Sequence, residues 1–436
     1  MCIRFNKTFS RVFFVLTFFL CFCVCIAAPL FTHCAYAVEG LANPKSALME
    51  ITVGGDNADI PGYSTHAIQI AVDALKTNGG GTVRLGAGRF EIDAPVKLYS
   101  NVNLIGSGNT TVLRKMDAVQ TNFVIDADYG MFKVTVKDVS GFRAGMGILL
   151  FDDAHTDCWD HTTARITGID GTVLYIDSKL VRDYYADANG TVTTSGSIIE
   201  GTEAENIRIA DLVVDGNKAH NDNVNGCIGG GIYLYRAKNV TIENVTVSNF
   251  NGDNYSWQTT ENITVRNCEA AYASGLGFHP GTGSDTTIIE NCRSHHNGGD
   301  GIFLCWRVQN GIFRNNKTYQ NGRFGISIGH QDTDNIFENN HIFENEQHGV
   351  NFRDENENNG GHRNTFHGNI IENNGSADFK AYGFFIGGVT HDITIEGNTI
   401  RSTGKGNQAG AVFIGPKASR ITERDNTISG HPGVVK

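Results

Sequence analysis

Proline is scarce in this chain, 7 residues of 436, against 52 glycines. That excludes a proline-rich stalk, and the glycines follow no collagen triplet. No tract of Lys and Arg interrupts a net charge of −11, which excludes indiscriminate nucleic-acid binding. No CxxC pair occurs, so the commonest zinc-site spacing is absent. Only one long apolar run exists, at the extreme N-terminus, and no later segment would span a bilayer.

That run, 12–28, follows a basic start at Arg4, Lys7 and Arg11 and leads to Ala35-Tyr36-Ala37. This is the order of a secretory signal, expected to be cleaved after Ala37; an uncleaved anchor is the alternative. The mature chain then carries 32 Lys+Arg against 46 Asp+Glu, a charge of −14. Five cysteines remain, at 158, 227, 268, 292 and 305, and an odd number argues against a full disulfide framework. A secreted protein is expected, with no membrane association once the leader is removed.

What the chain has in abundance is repetition. Val245, Cys268, Cys292, Asn316, Asn340, Asn369, Asn398 and Asn426 recur at steps of 23, 24, 24, 24, 29, 29 and 28 residues. Three positions before them stand Ile242, Val265, Ile289, Phe313, Phe337, Phe366 and Ile395, and only Glu423 breaks that series. A second short stretch follows in each copy, usually after glycine, as in Gly301-Ile-Phe-Leu and Gly325-Ile-Ser-Ile. Each copy thus carries period-two strands between Asn/Gly-rich turns. The leucine framework of leucine-rich repeats and the period of helical repeats are both missing. A period in the twenties with short strands predicts an all-β solenoid, a right-handed parallel β-helix with one coil per copy. The Asn series is expected to stack as an inward ladder. Cys268 and Cys292 fall in the same ladder as a reduced, buried pair.

The earlier residues read differently. Ala67, Ile70, Ala71, Ala74 and Leu75 have helical spacing, and Asn78-Gly-Gly-Gly81 ends the pattern. This helix is expected to cap the open end of the solenoid. The expected organisation is a leader over 1–37, the cap and first coils over 38–106, an irregular β segment or insertion over 107–200, and coils over 201–436.

The stretch from Ser64 to Ile92, with Asn101–Gly108, resembles the N-terminus of the pectate-lyase-like β-helix superfamily. Residues 207–355 resemble the catalytic module of secreted mannuronan C5-epimerases. The pieces that carry this are Asp215-Gly-Asn-Lys218, Gly277-Phe278, Pro280, Ser294-His-His-Asn-Gly298, Asp300-Gly301, Phe313-Arg-Asn-Asn316 and Gly322-Arg323. The resemblance implies the fold, and it implies that Arg323 matches an arginine of that family. That family's signature is Tyr-Gly-Phe-Asp-Pro-His, whereas the aligned positions here read Leu276-Gly-Phe-His279-Pro-Gly281. A histidine therefore stands where the family has its aspartate.

Residues after the strand glycine alternate inward and outward. The outward or edge set runs Tyr233, Tyr235 and Arg236; Gln258; His279; Cys305, Trp306 and Arg307; His330; Arg353 and Asp354. Stacked coils would align these groups in a stripe roughly 20 Å long, the size of a few sugar residues. A merely solvated face would show Thr, Ser, Lys and Glu instead. Abstraction of a proton beside a carboxylate needs a base and a partner that neutralises the carboxylate. His279 or His330 suits the first role, and Arg307 or Arg353 the second. Tyr233, Tyr235, Gln258, Trp306 and Arg323 are assigned to substrate binding, with Trp306 as the aromatic platform. Asp354 is the carboxylate a hydrolase would use, with Asp332 and Glu355 in nearby turns. His295, His296 and Asp300 read as turn polarity. Calcium is the one cofactor left open, at Asp354, Glu355 and Glu357, although the spacing matches no known calcium loop.

The sequence therefore predicts a secreted β-helix acting on an acidic, uronic-acid polysaccharide by β-elimination or a related C5 proton transfer, a polysaccharide lyase or an epimerase-like enzyme. A glycoside hydrolase of the same fold and a non-catalytic glycan-binding or adhesion solenoid are the alternatives.

Overall fold

In the computed structural model, residues 49–435 are described; the leader expected over residues 1–37 lies outside them. The chain is all-β apart from one α-helix and three short 3-10 turns among the described residues. Two parallel sheets, of 22 and 11 strands, run through the solenoid, and a six-stranded antiparallel sheet accompanies them.

The repeat seen in the sequence is the hydrogen-bond register of the larger sheet. Ile289 pairs with Phe313, Phe313 with Phe337, Phe337 with Phe366, and Phe366 with Ile395. All five are fully buried. Identical rings one coil apart stack face to face, Phe313 on Phe337 at 4.8 Å and Phe337 on Phe366 at 4.6 Å between centroids. One continuous core follows, from Ile51 to Val412.

The bend after each of these strands needs a left-handed residue. Asn267, Asn291, Asn315 and Asn339 supply it with φ between 53° and 57°, and Gly368 and Gly397 take over in later coils. Asn and Gly are the residues that visit this region at least cost. The residue after each bend forms the ladder. Asn316 Nδ2 donates to Asn340 Oδ1 at 3.0 Å, Asn340 Nδ2 to Asn369 Oδ1 at 2.9 Å, and Asn369 Nδ2 to Asn398 Oδ1 at 2.9 Å. Each amide also serves a buried backbone carbonyl, as Asn340 Nδ2 does with Phe313 O at 2.8 Å. A second ladder, Asn297–Asn321–Asn345–Asn374–Gln408, lines another corner of the coil. Cys268 and Cys292 are buried and reduced, with Cys268 N donating to Cys292 Sγ at 3.4 Å.

The expected N-terminal helical cap is here reduced to a single element, Thr65–Thr77, the only α-helix among the described residues. The Ser64 side chain caps it by accepting from Ala67 N. Its buried stripe is Ala67, Ile68, Ala71, Val72 and Leu75, all within the solenoid core. Ile70, which the spacing placed inside, is 44% exposed on the opposite side. No helix among the described residues is long and apolar enough to cross a membrane.

Strands between residues 120 and 193 form the antiparallel sheet. It has its own core, which includes Phe123, Val134, Ile148, Leu150, Leu174 and Tyr184. The loop that leads from Asp215 to Ile232 lies near it: Leu149 packs with Val224 and Ile228 in a small separate cluster that Cys227 joins. The register offset across this coil is 33 residues, against 23 in the next coil, and the extra length is this loop.

Candidate active site

The 11-stranded sheet presents one face outward. Along it, Tyr233 pairs with Ser256 and Ser256 with His279, and from the next coil on Phe303 pairs with Ser327 and Ser327 with Asn351. The intervening residues Leu234, Trp257, Phe278, Ile302, Ile326 and Val350 fill the core. Period-two alternation fixed by the core therefore decides which residues turn away from it; of these, Tyr233, Ser256, His279, Ser327 and Asn351 are themselves buried beneath neighbouring loops and side chains.

His279 is 3% exposed and lies at the centre of a polar constellation. Its Nδ1 donates to Asp253 Oδ2 at 2.7 Å. With Nδ1 taken, the other side of the imidazole is left for the Cys305 sulfur; Gln258 Nε2 stands 3.4 Å from His279 Nε2 and donates to Ser256 Oγ at 3.1 Å. The Gln258 amide is itself fixed, because its Oε1 accepts from Thr282 N at 2.7 Å. Cys227 reaches the same cluster and hydrogen-bonds the Cys305 sulfur.

These contacts shift the ionisation of both central groups. Burial pulls the His279 imidazole down, but hydrogen bonding and charge from Asp253 and Cys305 outweigh it and raise its pKa to about 10. The Cys305 thiol is lowered to about 4, first by its hydrogen bond from Cys227, against the cost of burial and with help from His279. The favoured state near neutrality is an imidazolium beside a thiolate.

Glycine makes room for the cluster. A Cβ at Gly226 would stand 1.7 Å from Asp253 Oδ2 and 2.6 Å from His279 Nδ1, and one at Gly275 would stand 2.2 Å from Asp253 Oδ1. Neither glycine has a left-handed backbone, so the close approach of the acid and the imidazole is what excludes a side chain there. A cavity of about 260 Å³ opens onto the cluster, bounded by the loop at Asn225–Cys227 and by Leu276 and Phe303.

The other expected residues divide around this centre. Tyr233 is buried with its hydroxyl donating to Cys227 O at 2.7 Å, so it braces the loop. Tyr235 is half-buried, 6.3 Å between ring centroids from Trp159. Gln258 is fully buried. Trp306, Arg307 and His330 have left the strands and adopt positive φ in the turn that follows. There the Trp306 indole stacks on the His330 imidazole, centroids 4.1 Å apart, and Trp306 is 48% exposed. His330 Nδ1 faces Glu355 Oε1 at 3.6 Å.

Arg353 is held down on the floor. Its Nη2 donates to Leu304 O at 2.8 Å and to Asp332 Oδ2 at 2.9 Å, its Nη1 donates to Ser327 Oγ at 3.1 Å, and its guanidinium lies 4.7 Å from the Phe303 ring. Burial raises Asp332 to about 7 against the pull of Arg353. Arg307 and Asp354 are exposed. Arg323 is exposed too, with Nε 3.7 Å from Asp300 Oδ1. Asp300 is fully buried, raised to about 6 by burial, and its Oδ2 has no partner.

The three acids considered for calcium face different ways. Glu355 turns to His330, Glu357 to His391 Nε2 at 3.1 Å, and Asp354 to solvent. Glu357, His362 and His391 do place ligand-type atoms within 4.8 Å of one another. His362 is already engaged by backbone, accepting from His391 N at 3.2 Å and facing Glu357 O at 2.9 Å.

Sequence reasoning placed His279 on this face but did not join Asp253 or Cys227 to it, and it gave Cys305 no role. Asp253 lies 26 residues before His279 and Cys305 follows by the same interval. With 23- and 24-residue coils, that spacing is one coil plus two or three residues, a diagonal across three neighbouring strands. Reactive residues repeated at the coil length plus two or three were the available signal.

Residues 212–366 and 281–435 match the family model described as right handed beta helix region. Over 226 residues the chain is 26% identical to mannuronan C5-epimerase AlgE2 of Azotobacter vinelandii; this takes in 49% of the chain but 15% of that relative's length. Among solved structures, the A-module of mannuronan C-5 epimerase AlgE4 of Azotobacter vinelandii is similar with a TM-score of 0.55 at 18% identity, over 85% of this chain and 93% of that one. PfbA, a surface adhesin of Streptococcus pneumoniae, is similar with a TM-score of 0.53 at 14% identity, over 85% and 82%. At these identities the structural likenesses speak to fold.

Proposed function

The chain belongs to the right handed beta helix family, and we propose that it acts on an acidic polysaccharide laid along the 11-stranded sheet, transferring the C5 proton of a uronic acid by β-elimination or epimerisation. The observation that carries this reading is the Asp253–His279 hydrogen bond on the groove floor, beside a cavity of sugar size. Oriented through Nδ1 by the carboxylate, the imidazolium gives its Nε2 proton as acid, and the neutral imidazole that grows in as pH rises toward about 10 takes the C5 proton as base, so turnover should climb with pH over that range. Similarity to a named mannuronan C5-epimerase supports the substrate class, although the chain spans a small part of that protein.

Arg307 is the cation assigned to the substrate carboxylate, because its side chain is exposed while Arg353 is tied to Asp332. Trp306, stacked on His330, offers the sugar platform, and Arg323 extends the basic rim. On the same reading the leader directs the protein out of the cell, and the helix Thr65–Thr77 closes the N-terminal end of the solenoid.

The test is a panel of polyuronates, mannuronan first, incubated with purified protein. Ultraviolet absorbance reads unsaturated ends, a reducing-sugar assay reads chain cuts, and proton NMR reads C5 configuration. Unsaturated ends or inverted C5 centres are expected on at least one polymer. New reducing ends without unsaturation would replace this reading with hydrolysis.

A further inference from the structure

Asp253, His279 and Cys305 are joined in one line: carboxylate to Nδ1, then the imidazole to the thiol. Proton transfer at C5 uses the imidazole and leaves the sulfur without a task. Yet the sulfur is placed with care. It lies two residues past the strand that carries Phe303, Cys227 interacts with it, and Cys305 borders the same cavity as His279. The glycines at 226 and 275 are required by the acid and the imidazole behind it. An inert core cysteine would be buried among apolar groups, as Cys268 and Cys292 are.

We propose that Cys305 is a nucleophile activated by His279 and oriented through Asp253, and that this site cleaves acyl esters carried on sugar hydroxyls. The choice of a sugar ester rests on the polysaccharide reading above; the nucleophile itself does not. The thiolate adds to the ester carbonyl carbon, and the bond from that carbon to the sugar oxygen breaks. The imidazolium gives its Nε2 proton to the departing oxygen, leaving a thioester and a neutral imidazole. Water then gives a proton to Nε2 and its oxygen to the carbonyl carbon, the carbon–sulfur bond breaks, and the acid leaves with the thiolate restored. No oxidant, metal or cofactor enters this balance.

The experiment uses the full chain under reducing conditions with p-nitrophenyl acetate and with an acetylated polyuronate. Quenched intact-mass analysis should show one acetyl group, mapped by peptide analysis to Cys305. In Cys305→Ser the acyl-enzyme and ester turnover should fall by about 10²-fold or more in protein that still folds, as its circular dichroism shows. The pH profile separates a reactive thiolate from an ordinary one. Iodoacetamide should label Cys305 of the wild-type chain at rates within about threefold between about pH 6 and about pH 9, whereas an ordinary thiol gains roughly tenfold per unit below its pKa of about 8.5.

Labelling of Cys305 that rises tenfold per unit, or ester turnover that survives Cys305→Ser, overturns the proposal. So does turnover that needs added zinc and stops with a chelator, which would make the two cysteines and the histidine metal ligands. The two readings fail separately. C5 chemistry on a polyuronate without any acyl-enzyme sinks the nucleophile alone. An acyl-enzyme without reaction on any polyuronate sinks the proton-transfer reading alone.

Discussion

His279 and Cys305 make a stability prediction because their ionisation differs between the folded and unfolded chain. The imidazole is raised from an ordinary value of 6.5 to about 10, so its contribution is whole below 6.5 and is lost as pH rises through about 10. The thiol is lowered from 9.0 to about 4, so its contribution is whole above 9.0 and is lost as pH falls through about 4. Between 6.5 and 9.0 the two slopes oppose each other and cancel. The difference in unfolding free energy between wild type and the double variant His279→Gln/Cys305→Ser, which removes both groups, should therefore be flat in that window. It should shrink on both sides, by up to about 1.4 kcal/mol per pH unit. Urea melts across pH measure it; a difference that declines steadily from pH 6 to pH 9 would mean that the imidazolium stands beside a protonated thiol, held by Asp253 alone. At this scale the sequence was half legible. His279 was visible because strand alternation alone turns it outward. Asp253 and Cys305 were not joined to it because their contacts run diagonally over the coils, and a reading by rows compares only residues at equal height.

The coil is the element that repeats, and the ladder tests it. Asn340 N and Nδ2 both donate to Asn369 Oδ1, while its own Oδ1 accepts from Asn316 N and Nδ2. Asn340→Leu strands a buried amide on one side and the Phe313 carbonyl on the other. Each orphaned group costs about 1–3 kcal/mol, and the melting temperature should drop clearly. An unchanged melt would mean that the amides are not what hold successive coils in register. This level of structure was the most legible, since the steps of 24, 29 and 28 residues recur as the offsets between hydrogen-bonded ladder residues, and the step of 23 as the offset between the bend residues Asn244 and Asn267. The second ladder was open to the same reading but ends in Gln408, whose longer side chain hides it from a search for asparagine. The helix was located correctly and its face was turned. Ile68 and Val72, with Ala71 and Leu75, satisfy the i, i+3, i+4, i+7 rule better than the set chosen around Ile70.

Across the whole molecule, the groove depends on parts that are far apart in sequence. The sheet supplies the floor, the long loop after Asp215 supplies a wall, and Leu149 of the antiparallel sheet packs against Val224 and Ile228 of that loop. Alternation between residues 131 and 200 was visible in the sequence, but period two does not distinguish antiparallel hairpins from solenoid coils. Nothing in it showed that Leu149 would support a loop about 75 residues away. The central claim is that His279 moves a proton at C5 of a uronic acid, and deuterium tests it most directly. Polyuronate is incubated in heavy water with wild-type or His279→Gln protein, and the C5 proton signal is followed by NMR. With wild type the account predicts loss of that signal, whether by elimination or by return of deuterium. With His279→Gln it predicts a rate lower by about 10²–10⁴-fold in protein that still folds and binds the polymer. A C5 signal that stays intact while wild-type protein shortens the chains, or that disappears equally fast with His279→Gln, would contradict it.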